Sequence, residues 1–171
     1  MQCVHANTIT TIDELRSVLE TVRRPLTLFE LRVLASRLRF SADQWQRYLT
    51  FDPRRFSFRA IYSSPHFEIN LIGWRSGQFS SLHDHRGTAC CVLVLDGVLT
   101  NVDYGILSSK VLKETSQVTL RPGQILSRSG CEIHRCGNDQ PYPVELATLH
   151  LYSPPLRPLS RRQYHQSQWI W

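Results

Sequence analysis

The stretch SSLHDHRGTACCVLVLDG, Ser80 to Gly97, decides how the chain is read. Its second half, Cys90–Leu95, is a short apolar run containing two valines and closed by Asp96-Gly97. That is the pattern of a buried strand ending in a turn. Its first half places two histidines one residue apart. On extended backbone, side chains alternate between faces, so His83 and His85 share a face and Asp84 takes the other. Two imidazoles held this way can chelate one metal ion of the zinc, iron, copper or nickel class.

Outward from this stretch the same strand signature recurs. Phe58–Tyr62, Phe67–Trp74, Val98–Tyr104, Lys110–Leu120, Gln124–Ser127 and Glu145–Tyr152 are rich in β-branched and aromatic residues. Gly77, Asp96-Gly97 and Arg121-Pro122-Gly123 punctuate them, at the spacing of an all-β sandwich or barrel. The first fifty residues differ. Thr11-Ile12-Asp13-Glu14, Thr27-Leu28-Phe29-Glu30 and Ser41-Ala42-Asp43-Gln44 each read as a helix-starting capping box. Apolar residues follow the first two at helical spacing: Leu15, Val18, Leu19 and Val22, then Leu31, Leu34 and Leu38. The spacing predicts a helical cap over 1–50, a closed antiparallel β-core over 55–155 and a tail over 156–171. At 171 residues these make one domain. Trp169 and Trp171 in the tail are expected to pack on the barrel or on a partner subunit.

Composition narrows the setting. No apolar stretch approaches the roughly 20 residues of a transmembrane helix, and the first residues lack the basic-then-apolar pattern of a signal peptide. The expectation is a cytoplasmic protein that binds no membrane, a monomer or weak homo-oligomer. Five cysteines, Cys3, Cys90, Cys91, Cys131 and Cys136, are an odd number and argue against a disulfide framework. The net charge of +6 comes from scattered arginines with no basic stripe interleaved with aromatics, so nucleic acid is not the expected partner. A solvated basic surface or an anionic small substrate accounts for it.

Two further histidines have settings suited to a site. His134 follows the turn Arg121-Pro122-Gly123 in a loop containing Gly and Cys. His150 lies in the apolar run Leu146–Tyr152. A competing arrangement is a structural zinc cluster of Cys131, His134 and Cys136, although its spacing is not that of the usual Cys-x2-Cys knuckle. His5, His66 and His165 have no such setting and are expected to be solvated.

Taken in order, these segments resemble the cupin superfamily. Its first motif runs from a glycine through five residues to His-x-His, here Gly77, His83 and His85, and ends at Gly97. The motif's usual glutamate falls on Cys90. The second motif matches at Gly123, His134 and Asn138, with Ser129 and Cys131 where proline and glycine are usual. His83-Asp84-His85 with Cys90, His134-Arg135, and Leu149-His150-Leu151-Tyr152-Ser153-Pro154-Pro155 together look like the cysteine dioxygenase family. That match covers about Arg55 to Pro155.

The resemblance implies a cupin-type antiparallel β-barrel (a jelly roll) and an iron(II)-dependent thiol dioxygenase. Such an enzyme oxidises L-cysteine with O2 to cysteine sulfinic acid. A 3-mercaptopropionate dioxygenase, or a metal-binding cupin of another activity, is the alternative. It implies His83, His85 and His134 as iron ligands, Tyr152 as the phenol meeting substrate or oxygen, and His150 as its hydrogen-bond partner, with Thr148 in the same relay. It implies Arg59 as the cation for the substrate carboxylate, although the tyrosine that precedes that arginine in some relatives is Ser57 here. It also implies a cis Ser153–Pro154 bond and a thioether between Cys90 and Tyr152. Cys91 should turn to the opposite face.

Overall fold

The computed structural model describes residues 8–108, 111–156 and 162–164. Two helices open the chain, α1 (Ile12–Thr21) and α2 (Leu28–Ser36). In each the cap threonine hydroxyl accepts from the backbone of the glutamate three residues on, which bonds back to the cap nitrogen. Both boxes are those read from the sequence. The third is not formed. Ser41 turns its hydroxyl to the Asp43 carboxylate, makes no cap bond, and α3 (Ala42–Trp45) lasts one turn before a 3-10 turn at Gln46–Tyr48.

Ten strands follow: β1 (Ser57–Ser63), β2 (Glu68–Trp74), β3 (Leu82–Asp84), β4 (Ala89–Asp96), β5 (Leu99–Ser108), β6 (Val111–Leu120), β7 (Ile125–Arg128), β8 (Ile133–Gly137), β9 (Leu146–Ser153) and β10 (Arg162–Tyr164). They form two five-stranded antiparallel sheets, ordered β1-β2-β9-β4-β7 and β10-β3-β8-β5-β6. Lys110, His5, His165, Trp169 and Trp171 lie outside the described residues, as does most of the tail.

The first sheet is covered on both faces, which shows best in β9. Every residue from Leu146 to Ser153 is buried. Leu149 and Leu151 join Ile69, Leu71, Cys91 and Leu93 beneath Leu15, Leu19, Leu31 and Leu34 of the helices. Thr148, His150 and Tyr152 alternate with them and face inward between the sheets. The outer face is thus the apolar one. Each leucine sealed under the helical cap contributes about 1.5–3 kcal/mol, while the inner face is left for polar chemistry.

Two tight turns hold the geometry. Gly97 has φ +76°, and a Cβ there would run into the Glu145 carbonyl oxygen. Gly130 (φ +103°) packs on Gly87, where a Cβ would come within 2.6 Å of backbone. Its carbonyl accepts from the His85 and Gly87 nitrogens, pinning the turn that follows β3.

Three strands are absent from the sequence reading: β3 and β10, three residues each, the latter within the expected tail, and β8, which holds His134. His134 therefore sits on a strand and not in a loop. Such short strands carry too few residues to show a period of two. They exist because β8 is paired on both sides, to β5 through five residues and to β3 through the single rung His83–His134, and β3 in turn pairs with β10.

Candidate active site

His83, His85 and His134 converge between the sheets. Each is buried, at 1–3% exposure, and one ligand-type nitrogen from each lies within 4.8 Å of the others. The Nε2 atoms of His83 and His85 are 3.1 Å apart, and those of His85 and His134 are 3.4 Å apart. Backbone pairing brings His83 and His134 opposite each other, and the pinned turn presents His85.

The surroundings choose the tautomers. The Nδ1–H of His83 donates to the Ser81 carbonyl at 2.7 Å, which leaves its Nε2 as a lone pair. For His134 the chain of partners is longer. Arg128 bonds both carboxylate oxygens of Asp103, at 2.7 and 3.0 Å. Asp103 accepts from Asn101 Nδ2 at 3.0 Å, so Asn101 must present its Oδ1 to His134 Nδ1, at 2.7 Å. His134 Nδ1 therefore carries the proton and Nε2 faces its neighbours. Burial, with His83 and His85 alongside, holds the His134 pKa well below the usual 6.5 and keeps the ring neutral. Two tautomers locked with their free nitrogens in one cluster are what a divalent cation of the iron or zinc class requires. Asn101 and Asp103 give no motif signal and are visible only through the β5–β8 pairing.

The second half of the site is a hydrogen-bond relay on β9. Trp74 Nε1 can only donate, and does so to Thr148 Oγ1 at 2.9 Å. Thr148 Oγ1 lies 3.0 Å from His150 Nε2, and His150 Nδ1 lies 3.1 Å from the Tyr152 hydroxyl. The Tyr152 ring stands edge-on to His85, centroids 5.6 Å apart. The relay joins the histidine cluster to the barrel's buried tryptophan. Trp74 is a member that the sequence reading lacks.

The three histidines line one cavity of about 540 Å³ together with Trp74, His150 and Tyr152. The profile of the cysteine dioxygenase type I family matches residues 1–167 of the sequence. The chain belongs to the cysteine dioxygenase family.

This family member is 30% identical over 116 residues to cysteine dioxygenase type 1 of Rattus norvegicus, covering 66% of this chain and 58% of the relative. The human protein of the same name is 24% identical over 130 residues, 74% of this chain and 64% of its own. The chain thus matches less than two thirds of these relatives' length. A solved protein with a double-stranded β-helix domain from Klebsiella pneumoniae superposes with a TM-score of 0.55 at 14% identity, over 73% of this chain and 89% of its own. A cupin superfamily protein from Desulfitobacterium hafniense gives 0.50 at 15%, over 63% and 84%. The fold is a cupin.

Cys90 is fully buried, lines the cavity, pairs with Tyr152 across β4–β9 and hydrogen-bonds its side chain. Burial pushes the Cys90 thiol well above its ordinary 9.0, so it is protonated at neutral pH. Cys91 faces the helices, as alternation predicts. The Ser153–Pro154 bond is cis. The Ser153 hydroxyl donates to the His66 carbonyl and accepts from the Leu26 nitrogen, tying the end of β9 to the helical cap.

Arg59 is a correction. It pairs with Leu71, whose side chain lies beneath the helices, whereas Phe58 pairs with cavity-lining Ile72. Arg59 is exposed on the outer face, and Phe56 and Phe58 take the inward positions. Alternation along β1 is the physical reason: a one-residue change of register exchanges the faces. The Cys131–His134–Cys136 cluster is likewise not assembled. Cys131 is exposed, and among the described residues only the three histidines form a metal-competent group.

Proposed function

We propose that the protein is an iron(II)-dependent thiol dioxygenase, which adds both atoms of O2 to the sulfur of L-cysteine to give cysteine sulfinic acid. The observation that carries this reading is the three-histidine cluster sharing one cavity with Tyr152 and His150, the latter backed by Thr148. The names of the relatives supply the substrate.

The balance is RSH + O2 → RSO2H. Sulfur loses four electrons, O2 gains four, and the proton stays with the product. Iron(II) held by His83, His85 and His134 supplies the redox chemistry that lets triplet O2 react with a closed-shell thiol, and lowers the thiol pKa. Three neutral ligands leave the ion's charge for a substrate thiolate to offset. Cys90, where other cupins carry a ligating glutamate, adds no charge, because burial keeps it protonated.

The relay runs through one imidazole: His150 Nε2 lies against the Thr148 hydroxyl and His150 Nδ1 against the Tyr152 hydroxyl, so the ring's tautomer couples the two. The Tyr152 hydroxyl stands at the cavity end of this relay, where substrate or oxygen would meet it. Trp74, donating to Thr148, sets the far end of this chain. Water is kept from the reacting atoms by Ile72, Val92, Phe56 and Trp74. Cys90 and Tyr152, opposed across β4–β9, would join as a thioether: the Cys90 S–H and a Tyr152 ring C–H each lose one hydrogen, an S–C bond forms, and O2 takes up both hydrogens and two electrons to leave as hydrogen peroxide.

The test is to load the purified protein with iron, supply L-cysteine, 3-mercaptopropionate or cysteamine, and follow O2 uptake alongside sulfinate by mass spectrometry. Uptake matched one to one by sulfinate is the expected result. If no thiol supports it, the chain is a cupin of another activity.

A further inference from the structure

The polar lining of the cavity is one-sided. Among the described residues it contains no lysine or arginine, and its one carboxylate is Glu68. Glu68 and Asn70 alternate on β2, so both face the cavity, opposite Tyr152 and His150 of β9. Asn70 is 1% exposed and donates its Nδ2 to Glu68 Oε1 at 2.8 Å. Its Oδ1 is buried with no hydrogen-bond partner. A buried acceptor without a donor is costly, and here it stands beside a carboxylate. The pair thus offers acceptors on the cavity wall next to Tyr152. The group that satisfies both is a cationic N–H donor, and an ammonium carries three such hydrogens.

We infer that Glu68 and Asn70 form an ammonium subsite, so that the enzyme selects thiols by a 2-aminoethanethiol core. The inference rests on the thiol dioxygenase reading for the thiol end and on Glu68 and Asn70 for the amine end. Arg59, on the outer face, supplies no counter-charge to a substrate carboxylate. A carboxylate carried without an amine, as in 3-mercaptopropionate, gains nothing from this pair and meets the like charge of Glu68. Cysteamine should therefore bind at least as well as L-cysteine, and both should exceed 3-mercaptopropionate.

Isothermal titration of the iron-loaded protein under nitrogen with these three thiols separates binding from turnover. The expected result is 3-mercaptopropionate weaker than cysteamine by about tenfold or more, the range of a charge-assisted hydrogen bond. Glu68→Gln should weaken cysteamine by a similar factor and bring the three thiols close together, with iron content and melting temperature kept. Asn70→Ala should move them in the same direction, and Arg59→Ala should change none. Equal or tighter binding of 3-mercaptopropionate to the unaltered protein overturns the inference, as does an unchanged preference in Glu68→Gln. So does a selective loss of L-cysteine binding in Arg59→Ala. The expected order of binding without any O2 uptake would keep the amine subsite and remove the dioxygenase. Uptake with 3-mercaptopropionate preferred would do the reverse.

Discussion

Cys90 and Tyr152 are directly opposed on neighbouring strands β4 and β9, both facing the three-histidine cavity, and their side chains are hydrogen-bonded. Peptide mapping of protein exposed to iron and O2 should yield one species joining the Cys90 and Tyr152 peptides, two hydrogens lighter than their sum. Cys90→Ala should give only the separate peptides. Finding two unlinked peptides after prolonged turnover would show that proximity alone does not suffice here.

The Asn101–His134 bond predicts a metal phenotype from a residue that touches no metal. Asn101→Ala removes the acceptor that keeps the proton on His134 Nδ1. Iron affinity, measured by competition with a chelator, should fall by about 10–100-fold, the usual effect of losing a ligand's orienting partner. His83→Ala should abolish iron binding and O2 uptake together. Full iron retention in His83→Ala would mean the ligands are misassigned.

Along the relay, effects should grade with distance from the reacting atoms. Tyr152→Phe deletes the phenol O–H at the cavity end of the relay, and kcat should drop about 100-fold with iron content intact. Thr148→Val leaves Trp74 Nε1 and His150 Nε2 without their shared partner. It should lower kcat by about tenfold, and lower stability by about 1–3 kcal/mol through the stranded buried donor. A Thr148→Val enzyme with unchanged kcat would detach the threonine from the chemistry.

The α2 capping box gives a pH-dependent stability. Arg24, then the Thr27 backbone and hydroxyl, hold the Glu30 carboxyl at about 2, below its ordinary 4.5. Because the folded value is the lower one, the stabilisation is complete above about 4.5 and is lost as pH falls toward 2. Melting curves of wild type and Glu30→Gln should differ at neutral pH and converge by pH 2. Parallel curves across that range would assign the effect elsewhere.

The helical caps at Thr11 and Thr27 were legible because the box is local: four consecutive residues satisfy their own backbone. Seven strands were legible because each is long enough, with turn residues at its ends, to display its character. Strands β3, β8 and β10 were not, since pairing with neighbours distant in sequence is what makes them strands. The Ser41 box failed because its hydroxyl had a nearer partner in Asp43.

The sequence by itself determined a helical cap on a β-core, the spacing of His83, His85 and His134, and the Thr148–His150–Tyr152 alternation on one strand face. These follow from periods of two and from motifs contained in short segments. Tertiary structure decided which residues complete the site. The β5–β8 pairing put Asn101 behind His134, and the β2–β9 register set Glu68 and Asn70 opposite Tyr152 and His150. The β1 register turned Phe58 inward and Arg59 out. Register is set by contacts between strands remote in sequence, and one residue of slip exchanges every inward side chain for its neighbour.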